Sequence, residues 1–351
     1  MQEIQLDHVK LQYCGRVNDN NKNKPEFIFP STSLKFRFFG KKAVLTVRNR
    51  NIYWNNYVGV IVNGVQTSIP INKEGTTEIV LVDGEEKEYT ILFFKRMDSC
   101  HEIILEKLEI STGGILLEVE EKPTRKIEVY GDSVSAGEVS EAAEYVGKED
   151  PPHQGEYSNS WYSYSWILAR KLSAQIHNIS QGGVALLDGT GWFSPPEYRG
   201  IRKIWDKVNY VEETESVLWD FSKYTPHLVI VAIGQNDNHP FDYMGEDIES
   251  EQAQNWREQY KHWIMDIRKQ YKNAVIILKT TILNHHKNWD DSIERVCFEL
   301  NDNKIFHFCY SNNGCGTPGH IRSVEAIKMA DELYQYIEKL NEDIDIFDER
   351  T

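Results

Sequence analysis

Alternation of apolar and polar positions dominates the first third of the chain. Leu34 to Phe39 alternate, Ala43 to Val47 follow a Gly40-Lys41-Lys42 turn, and Tyr57 to Val62 run into Asn63-Gly64. That dipeptide is a hairpin signal, because both residues tolerate the positive φ of a tight turn. Thr77 to Val82, Glu88 to Phe94 and His101 to Ile110 repeat the pattern with turn residues between them. Short strands at this spacing predict a β-sandwich of meander or jelly-roll type over residues 1–120. The charged stretch Glu118 to Lys126, which holds Pro123, reads as a linker centred on 121–126.

The period then changes. Apolar runs at Ile127 to Tyr130, Leu228 to Ile233, Ala274 to Lys279 and Lys304 to Phe308 alternate with helical spacing over Trp161 to Lys171, Ser250 to Gln270 and Ser323 to Glu342. Strands alternating with helices predict a parallel, helix-covered sheet over 127–342, an α/β domain with ligands at the carboxyl ends of its strands. The acidic stretch 343–351 reads as a solvated tail.

The candidate chemistry falls at those strand ends. Gly131-Asp132-Ser133 follows the first apolar run directly and precedes Val134-Ser135-Ala136-Gly137. A strand that breaks on Gly and opens a helix with Ser aims the hydroxyl out of the sheet edge, beside helix N–H groups that have no internal acceptor. Taken alone the triplet is more often a turn and cap. Its value rises with the segments downstream of it: Ser180-Gln181-Gly182-Gly183, then Gly234-Gln235-Asn236-Asp237, then His320 ahead of a helix. Ser needs a base within hydrogen-bond reach, and His320 supplies one that takes and returns a proton near neutral pH. An oxyanion needs fixed donors, which Ser133 N–H, Gly182 or Gly183 N–H and the Asn236 carboxamide offer. Asp132 and Asp237 read as turn-stabilising carboxylates. Trp192, in a Gly-rich loop, is the best candidate for a flat face against substrate, whereas Trp161 and Trp166 read as helix core.

Ser, Gly, Asn and His in this order resemble the SGNH, or GDSL-type, hydrolase superfamily. Within it the chain is most similar to carbohydrate esterase family 2, through Arg125 to Gly137 and through His320 with the following Ala326 to Leu333. The resemblance implies a flavodoxin-like parallel sheet preceded by a jelly-roll-like β-sandwich, and a serine esterase that removes O-acetyl groups from mono-, oligo- or polysaccharides through an acyl-enzyme. Such relatives commonly carry Asp three residues before the His; here that position is Thr317, in Thr317-Pro318-Gly319-His320. The expectation is therefore a Ser–His dyad, its imidazole steered by a main-chain carbonyl or by a carboxylate from elsewhere in the chain. Two rivals stand beside it: an esterase or thioesterase on non-sugar acyl groups, and an inactive sugar-binding protein.

Composition narrows the field. The 351 residues are 40% hydrophobic and carry a net charge of −15, enough core for two domains and the wrong sign for a nucleic-acid backbone or an anionic membrane. No run approaches the roughly 20 apolar residues of a membrane span, and the start lacks a basic segment before an apolar core, which points to a cytoplasmic protein. Cys14, Cys100, Cys297, Cys309 and Cys315 are odd in number and show no paired spacing, so reduced, mostly buried thiols are expected. His307 with Cys309, and His285-His286, are the nearest approach to metal ligands; neither a metal nor any other cofactor is expected.

Overall fold

The computed structural model describes residues 1–98, 101–210 and 216–348. Its N-terminal part is a ten-stranded antiparallel sheet around Phe36, Leu45, Val60, Phe93 and Leu105, all buried. Tyr57–Val62 and Val65–Pro70 form the expected hairpin, with Asn63 at φ 49° and Gly64 at φ 85°.

Two expected turns are not turns. Ser33–Asn51 and Thr76–Lys95 are single long strands, paired to each other along most of their length. Gly40 pairs with Lys87 and Lys42 with Asp83, so Gly84 to Glu86 stand opposite Lys41 alone, and a second register shift follows at Ala43/Val44. The ladder to Ile115–Leu117 ends at Phe39, just before the first shift, and the ladder to His101–Ile110 begins at Ala43, just after it and runs through the second, so the strand is held in line on both sides of the irregularity. The Gly and charged residues therefore make bulges that bend the sheet.

The second part is a five-stranded parallel sheet: β1 (Lys126–Gly131), β2 (Gln175–Ser180), β3 (Leu228–Ala232), β4 (Val275–Lys279) and β5 (Ile305–His307), in spatial order β2-β1-β3-β4-β5. That is the flavodoxin-like order, with its switch point between β1 and β3. Alternate residues of each strand face opposite ways, and both faces are buried. Tyr130, Val231 and Leu278 pack with Trp256 and Trp263 of one long helix (Glu251–Gln270). Val129, Ile230 and Ile277 pack with Leu168 (helix Tyr164–Lys171) and with Met329 and Leu333 (helix Ser323–Ile344). Trp161 lies just before the first of these helices, in a 3₁₀ turn, and Trp166 lies within it; both pack edge-on in the core. The tail is not solvated as far as 348: Ile346 and Phe347 are buried, and the Arg125 guanidinium sits 4.5 Å over the Phe347 ring. Residues 349–351 of the expected tail lie outside the described residues.

A buried ion pair joins the two parts. Arg16 extends from the first domain to Glu128 on β1, 3.2 Å away, and also donates to the Trp205 carbonyl at 2.5 Å and the Lys207 carbonyl at 3.0 Å. Tyr130 and Tyr271 hydroxyls complete the cage around the same Glu128 oxygen.

Candidate active site

Ser133 follows the end of β1 as the first residue of a one-turn helix, Ser133–Ala136. Asp132 caps that turn, its Oδ1 accepting from Val134 N–H at 3.0 Å. Gly137 closes it at φ 83°, and Glu138 N–H returns to the Ser133 carbonyl at 3.0 Å. A Cβ at Gly131 would stand 2.2 Å from Ser135 Oγ, so the strand can turn this sharply only on glycine. The result is a serine held in place by bonds on both sides.

His320 meets it. Nε2 lies 2.7 Å from Ser133 Oγ, and Nδ1 lies 2.5 Å from Asp150 Oδ2. An ionised carboxylate only accepts, so Nδ1 carries the proton and Nε2 is left to accept from the serine hydroxyl. The two-residue site expected from sequence is thus extended by a carboxylate from elsewhere in the chain, in the loop after the nucleophile turn. Asp150 is well anchored: Oδ1 accepts from His320 N–H at 2.9 Å and from the buried Arg322 guanidinium at 2.8 Å. A Cβ at Gly319 would stand 2.5 Å from the Lys148 carbonyl and 2.8 Å from Asp150 Oδ1, so glycine there is what lets the loop approach the histidine. Burial raises the Asp150 pKa, but its hydrogen bonds from His320 and the charge of Arg322 hold it well below the usual range. For His320, burial pulls down, while Glu138 and Asp150 outweigh it and hold the imidazole at about 9.

The donors separate on inspection. Gly182 N–H is engaged by Asp98 Oδ2 at 2.8 Å, whereas Gly183 N–H has no partner among the described residues. This corrects the expectation for Gly182: its N–H is already bonded to a carboxylate, and a Cβ there would collide with that carboxylate at 2.4 Å. Gly183, at φ 72°, is left as the open backbone donor. Asn236 faces the cleft, with Nδ2 donating to Asp132 Oδ2 at 3.0 Å and to the Val184 carbonyl at 3.1 Å. Asp132 therefore ties the β1 and β3 turns together. Asp237 makes no such local turn; it accepts from Leu186 N–H at 2.9 Å and pins the loop after β2.

One further carboxylate carries no signal in the sequence. Glu138 lines the cleft with its side chain only 14% exposed, and its oxygen is 4.0 Å from His320 Nε2. Burial, together with neighbouring Asp98, Asp150 and Asp132, pushes it up to about 7 despite the pull of His320.

These groups open into a cleft of 620 Å³ whose walls come from both domains. Trp192, 59% exposed, stacks on His239 at 3.5 Å on one side; Tyr53 and Trp54, from the first domain, stand on another. A second hollow of 570 Å³ adjoins it, sharing Tyr53, Gly182 and Trp192. Sequence reasoning had no means to bring Tyr53 and Trp54 here, because only the packing of the two domains does so.

The other candidate ligands lie outside this cleft. Asp290, His307 and Cys309 hold ligand-type atoms within 4.8 Å of one another, and His285 Nε2 is 2.9 Å from Asp290. Both Asp290 oxygens are bonded, one to Thr280 and one to His285. The expectation of mostly buried thiols is corrected: Cys14 and Cys297 are half-buried and Cys309 and Cys315 exposed, while Cys100 lies outside the described residues. No helix among the described residues is long and apolar enough to cross a membrane.

Comparison with known proteins agrees with this architecture. Residues 13–119 match the carbohydrate esterase 2 N-terminal family. The chain is 28% identical over 310 residues to the cellulase/esterase CelE of Acetivibrio thermocellus, covering 86% of this chain but only 35% of that protein. It is 25% identical over 329 residues to an acetylxylan esterase / glucomannan deacetylase of Cellvibrio japonicus, covering 92% of this chain and 87% of the other. A family two carbohydrate esterase from Clostridium thermocellum, solved in complex with cellohexaose, shares the fold with a TM-score of 0.77 at 24% identity, over 94% of this chain and 98% of that one. Residues 13–119 thus match the carbohydrate esterase 2 N-terminal family, and the chain as a whole is similar in sequence to esterases and in fold to family two carbohydrate esterases.

Proposed function

We propose that this chain is a serine carboxylic-ester hydrolase that removes O-acetyl groups from carbohydrates. The observation that carries the reading is the line Ser133 Oγ, His320 Nε2, His320 Nδ1, Asp150 Oδ2, with spacings of 2.7 and 2.5 Å on either side of the imidazole, at the floor of an aromatic-walled cleft. The names of the two relatives, a cellulase/esterase and an acetylxylan esterase / glucomannan deacetylase, support the substrate class.

In this mechanism Ser133 Oγ attacks the acetyl carbonyl carbon as its proton passes to His320 Nε2. The oxyanion that forms meets Gly183 N–H and Ser133 N–H, with Asn236 as a third donor once it exchanges one of its present acceptors. Collapse breaks the bond to the sugar oxygen, which takes the proton from Nε2 and leaves as the free hydroxyl. Water then attacks the acyl-serine by the same path, giving acetate and restoring Ser133. Asp150 stays ionised throughout; it fixes the tautomer and stabilises the imidazolium.

Acetate release from acetylated sugars and from a short-chain aryl ester tests this directly, comparing the parent with Ser133→Ala and His320→Ala. Both variants are expected to lose activity by about 10⁴-fold or more while remaining folded. A parent that binds sugar but releases no acyl group from any ester overturns the reading in favour of a binding protein.

A further inference from the structure

One group of side chains with metal-binding chemistry stands apart from the Ser133 cleft. Asp290, in the first turn of the helix Asn288–Leu300, His307, the last residue of β5, and Cys309, two residues on, each present a ligand atom, and these atoms lie within 4.8 Å of one another. His285, in the loop after β4, adds a fourth: its side chain is fully enclosed and Nε2 is 2.9 Å from Asp290 Oδ2. A carboxylate, two imidazoles and a thiol form a donor set of borderline softness, which suits zinc(II) or cobalt(II) rather than magnesium or calcium.

The spacing fits such an ion. A tetrahedral zinc holds a nitrogen and a sulfur ligand about 3.5 Å apart, from bond lengths of about 2.0 and 2.3 Å. His307 Nε2 and Cys309 Sγ are 3.6 Å apart, and that weak contact is the only polar one either side chain makes among the described residues. The outer spread of 4.8 Å exceeds the tetrahedral edge by about 1.3 Å, a gap within reach of side-chain rotation.

The supporting groups are in place. A metal-bound imidazole donates its other N–H to a carbonyl or carboxylate, and a metal-bound carboxylate is itself hydrogen-bonded. His285 Nδ1 donates to the Leu283 carbonyl at 2.6 Å, which turns Nε2 toward Asp290. Asp290 Oδ1 accepts from the Thr280 hydroxyl at 2.5 Å, which in turn accepts from Asn313 Nδ2 at 2.8 Å. A carboxylate offers about four lone-pair sites, so two occupied ones leave room for an ion. A Cβ at Gly314 would stand 3.2 Å from His285 Nε2, so glycine there keeps the imidazole's space open. Asp290, Asp291 and Glu294 add a negative field around the Cys309 and His307 pair, which favours a cation.

We infer that Asp290, His307 and Cys309, with His285 as a fourth ligand, form a site for one zinc-class divalent cation, which clamps the end of β5 to the helix Asn288–Leu300 and to the loop after β4. Binding releases the Cys309 proton to solvent, because the thiolate is the ligand. The ion takes no part in chemistry at Ser133. Leu283 and Asn284 of the same loop line the cleft, so its role is to fix that wall.

The test titrates cobalt(II), then zinc(II), into the full chain under reducing, chelator-free conditions. It compares the parent with Cys309→Ser, His307→Ala and, as a control, Cys315→Ser, which removes the other exposed thiol. The parent and the control are expected to bind one cobalt per chain, with tetrahedral ligand-field bands and a thiolate-to-cobalt charge-transfer band that zinc abolishes. Cys309→Ser, a surface change expected to fold as the parent does, should lose the charge-transfer band. His307→Ala should bind at least about 10-fold more weakly. No charge-transfer band in excess cobalt, or a band that survives Cys309→Ser, overturns the inference. Neither readout needs ester turnover, so the site stands or falls apart from the esterase reading.

Discussion

Two glutamates ten residues apart, one on each side of the nucleophile, have met burial in opposite ways. Glu128 lies at the joint between the domains, fully enclosed, with Arg16 at 3.2 Å and the Tyr130 and Tyr271 hydroxyls on one oxygen. Burial would raise it, yet Arg16 and His177 hold it at about 2. Glu138, in the cleft, has no donor among the described residues and is pushed up to about 7. The same side chain is held ionised where its partners are built in and pushed toward its neutral form where they are missing.

The largest effect that separates the two regions belongs to the cleft. Asp150→Asn should lower kcat/KM for acetyl esters by about 10² to 10⁴-fold, because an amide in place of the carboxylate no longer enforces the tautomer that leaves Nε2 free to accept. The thermal stability of the same variant should fall as well, because the buried Arg322 loses its carboxylate partner; a folded fraction with the parent's kcat/KM would mean that Asp150 is a stability residue only. At the joint the pattern differs. Arg16→Ala strands a buried carboxylate and should cost about 3–5 kcal/mol in urea unfolding, with the kcat of the folded fraction close to that of the parent. A variant that unfolds like the parent would show the joint to be dispensable.

A smaller effect lies in pH. His320 must lose a proton to act as base, and its pKa is held at about 9, so kcat/KM should climb with pH to a midpoint well above the ordinary imidazole range. The groups that face it are Asp132, Glu138, Asp150, His153 and Arg322. Glu138→Gln removes one negative charge and should move the midpoint down, because the imidazolium loses part of its stabilisation. An unmoved or rising midpoint would break the electrostatic link between the two residues.

What the sequence made legible was local. Gly131-Asp132-Ser133 specifies a strand end, a cap and a candidate nucleophile within a few residues, and helix spacing located Glu251–Gln270 and Ser323–Ile344 to within two residues at either end. What it concealed was set by partners far along the chain. Asp150 is 170 residues from His320, and its loop closes only because Gly319 gives it room. The choice between Gly182 and Gly183 depends on Asp98, 84 residues away, which bonds the first and leaves the second. Gly40-Lys41-Lys42 looks like a turn because those residues suit one, yet the pairing with Thr76–Lys95 resumes on either side of Lys41 and the segment becomes a bulge. Ile346 and Phe347 sit in an acidic stretch whose charge hid two apolar anchors.

Tyr53 and Trp54 reach the cleft from the antiparallel domain, whose own strands contribute none of the reacting atoms. On the proposed esterase reading, chemistry and selectivity come from separate segments that meet only in three dimensions. On that reading, an exchange of residues near 53 between homologous chains would retune which esters are accepted while Ser133, His320 and Asp150 stay untouched, whereas cutting the chain at the linker would discard the Tyr53 and Trp54 wall along with the scaffold.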